Sequence, residues 1–328
     1  MNALRSIFVR REAGIAVMIV LFCLAIGLYK PQFLTFDYLR IILMLTPLLM
    51  IAAMGQMLVL VARHVDVSMG SMVGLSAMIT GMMFRDMPEI PWQFGFIVAV
   101  GTGALLGLIN GTLVTVFRLP AIIVTLGTLN LYRGLTFIVS DARQVDRQYI
   151  PSELKAMSQP SALFGMPSII FVAFAIAILA YFFTMHTRVG RQIFALGSNP
   201  VAAPLRGIKV TQVTLLVFAI SGALSGLAGI LYASRWGFVN PSNTGAGFEF
   251  QVIAAVVIGG VSINGGVGTV LGTVLGVLLL GCVSAALPLL GIPGTSQAAI
   301  YGAVILIALV IDRSVRQQGI VSLKRARA

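Results

Sequence analysis

The chain predicts an all-α polytopic membrane protein, and three observations carry that prediction. Hydrophobic residues make up 58% of its 328 residues, above the roughly 45–50% apolar share of ordinary globular chains. Charged residues make up only 10%, against about 25% in a soluble domain. The stretch from Phe250 to Ile311 carries no Lys, Arg, Asp or Glu at all. So few charges cannot cover a water-facing surface, which excludes a soluble enzyme, a nucleic-acid binder and a disordered chain. The net charge of +12 does not restore a nucleic-acid reading, because no basic run is interleaved with aromatics. An Arg/Lys excess in a membrane protein marks cytoplasmic loops instead.

A crossing helix needs about 20 mostly apolar residues. Charge-poor segments of that kind fall at 13–29, 41–62, 67–84, 94–117, 119–139, 165–185 and 213–234. The charge-free stretch is too long for one crossing, and two turn-rich breaks divide it, Asn264-Gly265-Gly266 and Pro288 to Thr295. The resulting segments, 250–263, 267–287 and 296–311, bring the expected total to ten. Segment 250–263 is short for a full crossing, so it is either partly re-entrant or extends back into the preceding loop.

Ten spans place both termini on one side. With the termini inside, 14 of the 22 Lys/Arg fall in cytoplasmic segments, 7 on the other side, and Arg133 within a span. The positive-inside rule therefore favours cytoplasmic termini. The first span resembles a signal peptide in its arginines and apolar run. It is longer than the usual h-region of about 7–15 residues and lacks a convincing cleavage site, so a retained first helix is expected.

Glycines recur four apart at Gly70/Gly74, Gly103/Gly107/Gly111, Gly222/Gly226 and Gly268/Gly272/Gly276. Small residues on one helix face permit close backbone packing in lipid, either within one subunit or at a subunit interface. Cys23 and Cys282 sit inside apolar runs and read as buried thiols. Polar residues within spans are few and mostly neutral: Gln56, Asn110, Thr125, Thr128, Asn130 and Gln251. Thr125, Thr128 and Tyr132 share one face of their helix, which either lines a polar path or bonds to a neighbour. Such groups suit an uncharged hydroxylated cargo.

Asp66 and Glu249 fall at span ends, where capping or pairing with arginine is expected. Arg133 either snorkels outward or pairs with Asp141 or Glu249. No phosphate-binding loop, histidine ligand cluster or nucleophile elbow is present. The chain itself is thus expected to be no enzyme and to hold no metal or cofactor.

The longest cytoplasmic loop, about 187–209, is basic and rich in small residues. Its pattern G-R-x-x-x-A-x-G-x-N-x-x-A-A-x-x-x-G-I at 190–208 resembles the coupling segment of permeases of bacterial ABC importers for monosaccharides, of the ribose, rhamnose, xylose and autoinducer-2 type. Three further stretches resemble the same family in the same order: Val65 to Ser71, Asn110-Gly111 with Leu119 to Gly127, and Gly259 to Ser262 through Gly265 to Gly268. The run Thr125 to Gly134 and the Pro151 to Lys155 loop are most similar to the rhamnose and autoinducer-2 members.

The resemblance implies a type II importer arrangement in one transmembrane domain, 1–328, in the bacterial inner membrane. It implies that two permeases, identical or related, pair around one pathway. Their partners would be ATP-binding cassette subunits, which bind the ATP and Mg, and a periplasmic sugar-binding protein. It assigns Gly190, Arg191, Ala195, Gly197, Asn199, Ala202 and Gly207 to coupling with the ATPase. It makes the helix after Pro120 a gating helix and the Asp66-Ser68-Gly70 and Gly259 to Gly268 segments bends beside the pathway. Spans 2–5 and 7–10 fit inverted repeats. The candidate pathway lining is then Gln56, Asp66, Ser68, Asn110, Thr125, Thr128, Asn130 and Tyr132. Rival expectations are a branched-chain amino acid ABC permease, an ion-coupled secondary transporter and a non-transporting scaffold. The absence of mid-span carboxylates argues against proton coupling.

Overall fold

The computed structural model describes residues 11–161, 165–293, 296, 299–300 and 302–303. Twelve α-helices follow in order among these residues. They are α1 (Arg11–Tyr29), α2 (Phe36–Leu45), α3 (Pro47–Val61), α4 (Met69–Asp86), α5 (Phe94–Thr115), α6 (Ala121–Ser140), α7 (Ser152–Ala156), α8 (Ser168–His186), α9 (Arg188–Ser198), α10 (Val210–Trp236), α11 (Phe248–Ile258) and α12 (Val270–Leu289). Two isolated bridges, Val145 with Val239 and Pro160 with Pro167, are the β-type pairings among them. The span expected at 296–311 lies almost wholly outside the described residues, as do Arg5, Arg10 and the basic C-terminal residues.

Six of these helices, α1, α5, α6, α8, α10 and α12, are long and apolar enough to cross a membrane. The helices α2 and α3, which meet at a 44° bend, are apolar and long enough only when taken together, as one broken span or a re-entrant pair. Pro47 causes that bend: it opens α3 at its first position, where its missing N–H removes a bond to the preceding turn. The expected 41–62 span therefore begins earlier, at Phe36, and is broken at Thr46. The 18-residue α4 has the length to span, but Ser, Thr and Gly dilute its apolar character.

The core is built around α3. All fifteen of its residues are buried, as expected of a helix apolar on every side. It packs against α8, α9, α10, α11 and α12. To one side, α5 and α10 form the most extensive helix pair, with α4 and α6 beside them. To the other lie α11 and α12, flanked by α1 and α2. Cys23 of α1 and Cys282 of α12 are free thiols, with Sγ atoms 3.8 Å apart.

All four glycine series pack inside this one chain. A Cβ on Gly103 would strike the Gly222 carbonyl, and one on Gly226 would strike that of Ala99. Gly272 and Gly276 meet the Gly259 and Ala255 carbonyls, while Gly70 and Gly74 meet the chain at Gly245 and Thr244. Backbone-to-backbone approach of this kind leaves no room for any side chain.

Two stretches of irregular backbone reach deep into the helix layer. From Arg85, Gly70 lies about 22 Å down α4 at 1.5 Å per residue. Gly245 touches Gly70, so the 237–247 loop descends along most of α4 before α11 begins. The eleven residues of α11 span only about 16 Å, half of a 30 Å hydrocarbon core. The expected segment 250–263 is therefore a half-length helix whose approach is the preceding loop. The 62–68 stretch that joins α3 to α4 runs from exposed Arg63 inward to Asp66 and Ser68, which have no exposed surface. Non-helical backbone at such depth is tolerated only where protein or a water-lined cavity surrounds it.

Candidate functional site: a buried polar chain and a basic coupling face

Six of the eight expected pathway residues come together where the 62–68 stretch meets α5 and α6. Asp66 Oδ1 accepts from the Ser68 amide at 2.9 Å and from Ser68 Oγ at 2.6 Å. Ser68 Oγ in turn accepts from Asn110 Nδ2 at 2.8 Å. Asn110 Oδ1 lies 3.1 Å from the Tyr132 hydroxyl, which is also 3.0 Å from the Leu106 carbonyl. Thr125 donates to Ala121 O within α6 at 2.9 Å and stands 3.2 Å from the Val65 carbonyl. Thr128 follows one turn later, bonded to Thr125 O. Three separate elements are thus tied by side chains that are all essentially buried.

The two remaining residues stand apart from that chain of bonds. Gln56 lies on the wholly buried α3, and neither atom of its amide has a partner. Asn130 points away from the bonded face: it is exposed and donates only to Leu126 O on its own helix. The helical period explains this, since Asn130 falls between Thr128 and Tyr132 on the turn rather than in line with them.

The descending loop contributes groups that spacing alone did not join to the site. Glu249, in the first turn of α11, is buried beside Gly70, and its Oε2 lacks a partner, as does Asp66 Oδ2. Arg133 neither snorkels nor makes a close ion pair. Its Nη1 donates to the Thr244 carbonyl at 2.7 Å, pinning the loop against α6. Arg235 likewise donates to the Met44 carbonyl, fixing the end of α10 against the α2–α3 bend. The positive-φ glycines Gly245 and Gly247 are the sequence signal for this descent, because they allow the sharp turn into α11. Chemically the arrangement offers neutral donors and acceptors with two enclosed carboxyl groups. Among the described residues no three His, Cys, Asp or Glu gather as a metal site.

The coupling segment forms α9 with the turns that follow it. Thr187 caps the helix, accepting from the Gly190 amide at 2.9 Å, and Asn199 Oδ1 holds the next turn through the Val201 and Ala202 amides. The expected coupling residues divide between two faces. Gly190 and Gly197 face inward, against the Thr184 backbone and against Val61 O and the Gly266 amide. Gly266 N also donates to Val61 O at 2.9 Å, so α3, α9 and the 259–268 turn form one backbone knot. Ala195 and Ala202 are half-buried, while Arg191, Asn199 and Gly207 are exposed. Arg188, Arg191, Arg206 and Lys209 are also exposed, and in the same segment Val201 and Leu205 are 81% and 86% exposed. Those two apolar residues were not among the expected ones, although each stands next to small or proline residues in the motif.

Comparison with known proteins gives the family. The profile of the branched-chain amino acid transport system / permease component family matches residues 38–309. The autoinducer 2 import system permease protein LsrC of Enterobacter sp. (strain 638) is 38% identical over 308 residues, 94% of this chain and 88% of that protein. The LsrC of Photorhabdus luminescens is 34% identical over 310 residues, 94% of this chain and 92% of that protein. That of Salmonella typhi is 35% identical over 306 residues, 93% and 86% respectively. No solved structure matches the chain. Its apolar helices make it a multi-pass inner-membrane protein, and the chain belongs to the bacterial ABC-importer permease family that includes the autoinducer-2 type permeases.

Proposed function

We propose that this chain is the membrane-crossing subunit of an ATP-driven importer for a small polyhydroxylated solute of the autoinducer-2 class. The observation that carries the reading is the 188–209 segment: two strongly exposed apolar residues and four exposed basic ones in one short stretch, knotted through Gly197 to the central helix α3. A segment of that kind fits a soluble partner with an apolar pocket and an acidic rim. The named relatives, permeases of autoinducer 2 import systems, supply the substrate class.

In this reading the chain is a single domain with ten crossings. α11 and its descending loop form the eighth, the residues near 296–311 form the tenth, and both termini are cytoplasmic. A separate cassette subunit holds ATP and Mg and hydrolyses the nucleotide, a periplasmic protein delivers the solute, and a second permease completes the pathway. Closure of the ATPase moves α9 as a rigid body. The backbone knot passes that motion to α3 and to the 259–268 turn, and so to the polar chain beside α6. The pathway then opens alternately outward and inward. The lining bonds mainly to itself, so it holds solute weakly and leaves selection to the delivering protein.

The test is ATP-dependent uptake into proteoliposomes containing this permease, its cassette subunit and its binding protein. Labelled autoinducer 2 and leucine are offered separately, because the family description favours a branched-chain amino acid as the second reading. Autoinducer 2 uptake abolished by Arg191→Glu with Leu205→Asp supports the proposal. Leucine uptake transfers the chain to the second reading. Uptake without the cassette subunit overturns both.

A further inference from the structure

A cleft of about 540 Å³ opens between the ends of α3, α5, α6 and α10, next to the start of the polar chain, for its lining includes Val65 and Ala121, whose carbonyls stand beside Thr125 Oγ1. Arg63, His64, Thr115, Arg118, Thr211 and Thr214 line it, with Leu119 and Ile122 on its rim. No acidic residue lines it. The ion pairs found among the described residues involve neither arginine. Two arginines without a close carboxylate partner among the described residues thus border one concavity.

The backbone at both arginines is unusual. Arg63 closes α3 at φ 68° and Arg118 follows α5 at φ 54°. Helices commonly end on a left-handed residue, but glycine normally fills that place. A bulky residue there is strained. Here it occurs at both arginines that line the same cleft. The first N–H groups of α6 and α10 also lack intrahelical partners and belong to the lining residues Ala121 and Val210. His64 Nε2 stands 3.5 Å from Thr214 Oγ1, and burial holds its imidazole below the usual range.

We propose that this cleft is a binding site for a phosphate group, clasped between Arg63 and Arg118. Guanidinium groups recognise phosphate oxygens through paired hydrogen bonds, and the Thr211 hydroxyl in the lining supplies a further donor. The phosphate comes either from an anionic phospholipid headgroup or from a soluble phosphate compound. Basic pockets between helix ends at a membrane face suit the former. Leu119 and Ile122, 45% and 49% exposed on the rim, give an acyl chain an apolar surface.

The experiment uses the full chain in detergent and native mass spectrometry with phosphatidylglycerol or phosphatidylcholine. The first variant is Arg63→Asn with Arg118→Asn, since asparagine tolerates the left-handed region and an unchanged melting temperature verifies folding. The second, Lys30→Asn with Arg143→Asn, removes the same charge far from the cleft. Wild type and the second variant are expected to retain phosphatidylglycerol about tenfold better than the first, with phosphatidylcholine indifferent to either. Retention that survives added inorganic phosphate assigns the site to a lipid headgroup. Displacement of the lipid, with a rise in wild-type melting temperature absent from the first variant, assigns it to soluble phosphate. Equal retention by the first variant and wild type, equal loss in both variants, or no preference over phosphatidylcholine together with no phosphate response overturns the proposal.

Discussion

Gly222→Ala should destabilise the protein through backbone collision alone. A Cβ at Gly222 would meet the Gly103 carbonyl oxygen, and the Gly107 Cα and N at 2.9 Å each. None of these atoms can turn aside as a side chain would. Ordinary contact needs about 3.5–4.0 Å, so α5 and α10 must part by about 1 Å, which forfeits a quarter to a half of each facing contact. Overpacking of this kind costs about 1–3 kcal/mol. Alanine's better helix propensity returns about 1 kcal/mol, for a net loss of up to about 2 kcal/mol, at the upper end because the colliding atoms in this widest of the helix contacts are all backbone. Gly101→Ala, on the same α5, is the matched control: nothing lies within 4 Å of its Cβ, so only the propensity gain remains. Apparent melting temperature in detergent, followed by fluorescence of Trp92 and Trp236, reads both. Gly222→Ala should melt several degrees below wild type and Gly101→Ala at or above it. If Gly222→Ala melts at or above Gly101→Ala, the two helices are not in backbone contact and the packing argument is wrong.

Three further outcomes are expected. Asn110→Leu removes two side-chain bonds, to Ser68 and to Tyr132, and leaves those residues only Asp66 and the Leu106 carbonyl, whereas Tyr132→Phe removes a single hydroxyl. The asparagine change should therefore lower the melting temperature more, by about 1–3 kcal/mol of stability, and a double-mutant cycle should show the two positions coupled. Gly197→Ala drives a methyl into Val61 O and the Gly266 amide and should abolish transport as well as reduce stability. Gly207→Ala meets nothing within 4 Å and suffers only its positive φ of 77°, so about 1 kcal/mol is the expected loss. Mild oxidation with copper phenanthroline should join Cys23 to Cys282, whose thiols stand 3.8 Å apart. Mass spectrometry after proteolysis would detect the linked peptides, and their absence would show that α1 does not lie on α12.

Much of the helical layout was legible from charge-poor stretches. The α5, α6, α8 and α12 boundaries fall within about three residues of the expected spans, because a helix that must shed water from its backbone has to be apolar for its whole length. Segment 41–62 starts earlier in the structure, because the helix tolerates Asp37 and Arg40 in its first turns, and Pro47 breaks it where the apolar pattern continues. Segment 250–263 was flagged as short, and its half-length form follows from Gly245 and Gly247. The polar chain was half legible: Thr125, Thr128 and Tyr132 share a face by period, but nothing in one sequence says that Asn110 reaches Ser68.

Composition was enough to decide that this chain lives in a membrane, roughly where its helices run, and which loop is its basic handle. Those properties depend on the local transfer of residues between water and lipid, and each is written in a window of some twenty residues. Partner choice needed the folded chain. Gly197 serves α3 rather than an outside surface, Arg133 holds a loop carbonyl rather than a carboxylate, and Arg63 and Arg118 face one cleft from helices far apart in sequence. Contacts between distant residues depend on how whole helices pack, and in lipid that packing is set by backbone shape and a few polar bonds, which leave only a weak periodic trace in the sequence.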